Sequence, residues 1–211
     1  MSYPFSFSLL TSLSDNTAPE ILIEVVDSDD LVELSHLGIQ QSIIDEVEAN
    51  LAIPEEDRES LLTFHIPYWN AKKISFLFVQ GTDCEEGRCD ILRGIKTDFT
   101  YVSFQEKLTE VLDNLILTTY RFQKFLSKKK TIHISLYRTH PTDAVELDAR
   151  LALLTRVYGA RDLVNTPSSE SNPAHIAEEV EKYPWKRTRV RVMKKSELQK
   201  LGMNLLLAVG A

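Results

Sequence analysis

The start of this 211-residue chain lacks basic side chains; the earliest is Arg58. A secretory signal opens on a positive segment and a transit peptide on arginines, so neither is indicated and a cytoplasmic location is expected. Long apolar runs are absent too. The C-terminal stretch Leu205–Val209 covers five residues, against roughly 18 for a membrane helix, so no membrane partner is expected. Cysteine is scarce. Cys84 and Cys89 form a Cys-x4-Cys pair with no second pair or nearby His pair, short of the four N/S ligands of structural zinc. They read as two reduced thiols in or beside a loop. The seven glycines never approach one another, and neither a P-loop nor a dinucleotide fingerprint nor a Gly-x-Ser-x-Gly elbow occurs. The five histidines, His36, His65, His133, His140 and His175, are scattered, which excludes helical His-x3-His metal pairs. Asp27, Asp29 and Asp30 resemble half of a calcium loop but lack its glycine and terminal glutamate. No residue is therefore nominated as catalytic, cofactor-binding or metal-ligating.

What remains is the composition of a globular chain, 43% hydrophobic and 26% charged. Its length equals one and a half domains of roughly 150 residues each. The net charge of −7 makes it a poor match for nucleic acid. Charge is unevenly placed: residues 1–120 hold 7 basic and 22 acidic side chains, residues 121–211 hold 17 and 9. Such a split marks either a nucleic-acid or partner face or two joined units. Lys128-Lys129-Lys130 reads as a solvated helix end in preference to a phosphate patch. Lys186-Arg187-Thr188-Arg189-Val190-Arg191 alternates with valines, as a solvated strand face or domain interface does; a phosphate-binding face is the lesser reading.

Patterning predicts alternating strands and helices. Strands are expected at Phe5–Leu10, Ile21–Val26, Leu61–Ile66, Ile74–Gln80, Tyr101–Phe104 and Thr131–Tyr137. His133 in the last of these is expected to be exposed or hydrogen-bonded. The near-continuous apolar run from Ile74 to Val79 suits a strand covered on both faces. The aspartates from Asp27 end the second strand. Ile39, Ile43, Ile44, Val47 and Leu51 fall at helical spacing. A turn is expected at Pro67–Asn70, a short helix over Asp90–Thr97 and a long helix over Gln105–Ser127. Thr142 or Asp143 caps a further helix running towards Leu163, and Asn172-Pro173 starts another. Arg187–Met193 and Leu205–Val209 are predicted strands flanking a short helix, Ser196–Leu201, which Gly202 ends. Alternating elements of this kind favour a sheet with helices on both faces.

Two stretches resemble the leucyl aminopeptidase family. Leu117-Thr118-Thr119-Tyr120-Arg121-Phe122-Gln123-Lys124-Phe125 is similar to a helix segment of its members. Ala160-Arg161-Asp162-Leu163-Val164-Asn165-Thr166-Pro167 is similar to their signature at the junction between domains. The continuation agrees in order: Asn172-Pro173, Ile176–Glu179, Glu197–Met203, then Leu206–Gly210. The resemblance covers Leu117 to Ala211, while residues 1–116 agree only in the order of elements. It implies an α/β fold with a three-layer α/β/α macro-like mixed sheet over residues 1–141, a long connecting helix over 142–165, and the first elements of a truncated catalytic domain over 166–211.

Family members are cytosolic metallo-exopeptidases that assemble as hexamers and remove N-terminal residues from peptides. In them two divalent metals, manganese or zinc, polarise the peptide carbonyl and generate hydroxide. The ligands lie in motifs resembling Gly-Lys-Gly and Asn-Thr-Asp-Ala-Glu-Gly-Arg. Neither motif occurs in this sequence, so no ligand is carried over and the motifs are expected beyond Ala211. The chain is thus expected to be inactive alone, with the rest of the catalytic domain, further copies and peptide substrates as partners of the parent. The alternatives are a macro-type module binding ADP-ribose or another nucleotide, for which a Gly-rich loop is missing, and an assembly or regulatory domain.

Overall fold

The computed structural model describes residues 5–79, 85–182 and 188–209, without the side chains of residues 55, 85–89 and 209. The chain divides into two compact units, residues 1–160 and 161–211. The first is built on a six-stranded sheet in the order β1-β6-β5-β2-β4-β3. The strands are β1 (Ser6–Leu9), β2 (Glu20–Val25), β3 (Leu61–Phe64), β4 (Lys73–Phe78), β5 (Phe99–Ser103) and β6 (His133–Arg138). All neighbours pair in parallel except β3, which runs antiparallel to β4 with Leu61 opposite Leu77 and Phe64 opposite Ile74. The expected mixed sheet is therefore present.

Helices cover both faces. On one side, α1 (Asp29–His36) and α2 (Gln41–Leu51) bury Leu34, Ile43, Ile44 and Val47 against Ile21, Ile23, Val25, Ile74 and Phe76. On the other, α3 (Glu85–Gly94), α4 (Leu108–Thr118) and α5 (Ala144–Asn165) bring Leu92, Leu112, Leu115, Leu151, Leu154 and Tyr158 onto Leu22, Leu77, Phe99, Tyr101 and Leu136. Successive side chains of a strand point to opposite faces, so β2 supplies both cores, and all six of its residues are buried. At the far edge Tyr158 donates from its hydroxyl to the Ile116 carbonyl at 2.6 Å and meets Phe5 and Tyr120 edge-on.

One buried asparagine ties three distant segments together. Asn16 donates to the carbonyls of Ala18 (3.1 Å) and Trp69 (2.8 Å) and accepts from the Ala18 amide and the Thr100 hydroxyl (3.0 and 2.6 Å). Trp69 and Asn70 have positive φ, 44° and 67°, in the turn between β3 and β4. Left-handed backbone is uncommon outside glycine; the Asn16 bond to Trp69 and an Asn70 bond back to the Asn16 carbonyl hold it.

Several expectations are corrected. The helix expected over Gln105–Ser127 spans only Leu108–Thr118. The Thr119 hydroxyl donates to the carbonyls of Leu115 and Ile116, at 2.8 and 3.2 Å, and competes with a further turn. Lys128–Lys130 consequently lie in a loop and compensate no helix end; Gln123 closes this loop by bonding the Lys130 amide and carbonyl at 2.6 and 2.9 Å. Asp27–Asp30, read as a strand terminator, also opens the unforeseen helix α1. The Asp29 amide donates to Asp27 at 2.9 Å, and Asp30 accepts from the Val26 amide at 2.7 Å. The helix expected over Asp90–Thr97 lies at Glu85–Gly94.

The second unit comprises the last turn of α5, α6 (Pro173–Glu181), α7 (Lys195–Lys200) and α8 (Asn204–Val209). As expected, Asn172 caps α6 by accepting from the His175 amide (2.9 Å) with Pro173 at its start, and Gly202 follows α7 with φ of 67°. The predicted strand Arg187–Met193 is not formed over residues 188–193, and Arg187 lies outside the described residues. The predicted strand Leu205–Val209 is helical instead. A short apolar run does not distinguish strand from helix by periodicity.

Candidate functional site

Topology points to a place where a ligand fits. In open parallel sheets, ligands bind outside the carboxyl ends of strands where successive connections diverge to opposite faces. Here β2 continues into α1 and α2 on one face, whereas its neighbour β5 continues into α4 on the other. At that divergence lies a crevice of about 160 Å³; among the described residues Glu24, Gln105, Glu110 and Asn114 form its polar lining and Val26, Val79 and Val111 its apolar walls.

Glu24 stands at the end of β2 and is 3% exposed. Its Oε2 accepts from the Ser103 hydroxyl at 3.0 Å, one strand away. A buried carboxylate is costly unless hydrogen-bonded, so its position is well fixed. At the rim Glu110 pairs with Lys107 Nζ at 2.8 Å. The loop leading into α4 is braced by Arg138 from the end of β6. Its Nη2 donates to the carbonyls of Gln105 and Glu106 at 2.7 and 2.6 Å, and Nη1 to Thr142 at 3.3 Å. Burial pulls the Arg138 guanidinium below its ordinary pKa, against the opposing pull of Glu146.

Residues drawn from the sequence fall elsewhere. His133 is half-buried between two serines, its Nδ1 2.6 Å from the Ser6 hydroxyl and Nε2 2.9 Å from that of Ser8, so both ring nitrogens are engaged within the sheet. His36 and His65 are exposed. Asp30 is buried in its own turn, and desolvation raises its carboxyl above the usual range despite backbone hydrogen bonds from Val26 and Asp27. Cys84 lies outside the described residues; Cys89 belongs to α3. Among the described residues no group of three or more His, Cys, Asp or Glu side chains is placed to hold a metal ion, so they do not fit a two-metal centre. The signature Ala160–Pro167 forms the end of α5 and its exit: the Thr166 hydroxyl donates to the Asp162 carbonyl (2.6 Å), and the Glu170 and Ser171 amides close a turn on Pro167 (2.9 and 2.8 Å).

The crevice residues were not singled out in the sequence. One signal was available: Glu24 is a carboxylate inside an otherwise apolar strand, Ile21-Leu22-Ile23-Glu24-Val25, in a position where a charge survives only with dedicated partners.

Comparison with known proteins bears on the second half of the chain above all. Residues 158–211 match the cytosol aminopeptidase family, catalytic domain. A probable cytosol aminopeptidase of Agrobacterium fabrum is 33% identical over 104 residues, 45% of this chain and 21% of the relative. That of Hamiltonella defensa is 25% identical over 189 residues, 76% of this chain and 38% of the relative. The chain thus spans well under half the length of the curated relatives it matches. Among solved structures, a tomato leucine aminopeptidase variant superposes with a TM-score of 0.61 at 13% identity, covering 95% of this chain and 46% of that one. Leucine aminopeptidase of Caenorhabditis elegans gives 0.57 at 12% identity, covering 84% and 40%. At such identities the superpositions show the fold alone. Residues 158–211 are thus similar in sequence to the catalytic domain of the cytosol aminopeptidase family, and the chain shares its fold with solved leucine aminopeptidases.

Proposed function

We propose that the chain supplies the non-catalytic N-terminal part of a leucyl aminopeptidase-type metallo-exopeptidase. In this reading residues 1–141 form a macro-like domain, residues 142–165 the connecting helix, and residues 166–211 the opening of the catalytic domain. The parent removes N-terminal residues from peptides in the cytoplasm with two divalent metals, manganese or zinc, and assembles as a hexamer. What carries the reading is the agreement of residues 158–211 with the family's catalytic domain, together with a sequence that contains neither of the family's metal-ligand motifs.

The helix α5 packs on the sheet through Leu151, Leu154 and Tyr158, and runs on without a break to Asn165, where the turn at Pro167 redirects the chain. Helix α5 thus leads from the sheet into the matched segment, which begins within it at residue 158.

Two assays test the reading. The chain alone, given manganese or zinc, is expected to leave leucine p-nitroanilide intact; robust turnover overturns the non-catalytic assignment. A chimera in which residues 1–211 replace the equivalent part of the Hamiltonella defensa relative is expected to hydrolyse the same substrate. A folded chimera with no activity overturns the family role.

A further inference from the structure

We propose that a small cavity lined by the loop after α4 binds a tetrahedral oxyanion, free phosphate or the phosphate group of a compact monoester, between the Arg121 guanidinium and the Lys130 ammonium. The site lies within the first unit and is independent of the aminopeptidase reading. Because α4 ends at Thr118, the run Lys128–Lys130 compensates no helix dipole. The loop instead places Lys130 in the lining of a cavity of about 50 Å³, together with Arg121 and Thr131 and with buried Phe5, Ile134 and Tyr158 on its apolar side.

Charge selects the ligand class. Arg121 Nη2 donates to the backbone carbonyls of Arg93 (2.8 Å) and Ile95, and Lys130 Nζ to that of Lys96. A carbonyl orients a cation without neutralising it, so both positive charges remain at one cavity and attract an anion. Among the described residues neither cation pairs with a carboxylate, and the lining contains no acidic side chain. Residues 1–4, which precede Phe5, contain none either. Asp98, two residues beyond Lys96, accepts from the His133 amide at 2.8 Å. Donors are left over: an arginine has five N–H groups and a lysine three, and these carbonyls take two of the first and one of the second.

Size and preorganisation narrow the class. A cavity needs roughly 10–15 Å³ to hold one water; about 50 Å³ accommodates the oxygens of one phosphate group and excludes a nucleotide base. Gln123 fixes the loop, its Oε1 accepting from the Lys130 amide at 2.6 Å and its Nε2 donating to the Lys130 carbonyl at 2.9 Å. Arg121 is held against the connection between α3 and β5, so binding costs little in ordering either cation. Charge-assisted bonds from guanidinium and ammonium to phosphate oxygens are the stronger class. Both cations are exposed to solvent, so binding weakens as salt rises.

The probes are sodium phosphate and methyl phosphate, titrated into the chain at constant ionic strength and followed by amide chemical shifts. Saturable shifts are expected, centred on residues 93–96, 119–123 and 130–134. Binding of both probes assigns the site to a phosphomonoester, and binding of phosphate alone to the free ion. Lys130→Gln, in an exposed loop, is expected to weaken binding by at least about tenfold with the unfolding midpoint unchanged. The double variant Lys128→Gln/Lys129→Gln is expected to bind within about twofold of wild type, because neither residue lines the cavity. Absence of saturable shifts, an equal response to sodium acetate, or binding undiminished in folded Lys130→Gln overturns the proposal. Equal weakening in the double variant does so too, since it marks diffuse attraction to the loop.

Discussion

At the scale of single residues, two buried polar groups control much of the first unit, by different physics. Asn16 uses all four of its hydrogen-bonding positions, two as donor and two as acceptor. Replacing it by leucine strands the Trp69 carbonyl and the Thr100 hydroxyl and releases a left-handed turn; we expect a loss of about 3 kcal/mol in urea unfolding. Asp30 acts through protons. Its carboxyl titrates above the ordinary range because burial disfavours the charge. The folded state therefore binds that proton more tightly than the unfolded state does. Its contribution to stability rises as pH falls through the raised pKa and levels off below the ordinary value of about 3.9. Unfolding measured from neutral to acid pH should show wild type gaining on Asp30→Asn across that window; parallel curves would refute the assignment. Neither residue was legible beforehand. The partners of Asn16 lie as far off as Thr100, 84 residues away, and no periodicity encodes such a pairing. Asp30 stood in view, but as part of an acidic cluster whose chemistry depends on which member is buried.

At the scale of elements, legibility followed the amphipathic signal. Helix α2 and all six strands of the first unit were found close to their observed bounds, because their apolar residues follow the period or run of the element they form. Ends were harder. Helix α4 stops where a threonine hydroxyl competes for carbonyls, although apolar residues continue at tolerable spacing to Leu126. Tyr120 belongs instead with Tyr158, an aromatic contact that mimics helical spacing. The three helices α6, α7 and α8 present a different case. They contain no buried residue whose side chain is described, and Leu205 is 85% exposed. Helices this short are marginal in water without tertiary packing. Their amides are expected to exchange with solvent at least ~100-fold faster than those of β2, β4 and β5. Hydrogen exchange read by mass spectrometry checks this, and equal protection across both sets would show that these helices are covered in solution.

At the scale of the whole molecule, the uneven charge noticed in the sequence maps onto architecture only in part. The acidic portion, residues 1–120, supplies five of the six strands. The basic portion begins in the loop after α4, supplies β6 and α5, and continues through the second unit. The match to the cytosol aminopeptidase catalytic domain lies in that basic portion, over residues 158–211. In the acidic portion the likeness to solved leucine aminopeptidases is one of fold alone. A sheet of buried strands tolerates wide substitution among hydrophobic residues, so a common fold requires little common sequence there. The same sheet has a temporal consequence. Its first strand, Ser6–Leu9, pairs only with the last, His133–Arg138. On a ribosome the opening residues therefore emerge long before their partner exists, and must wait unpaired through the synthesis of the other four strands. Closing so distant a contact is intrinsically slow, so the first strand stays open to wrong pairings for longer than the strands between it and its partner.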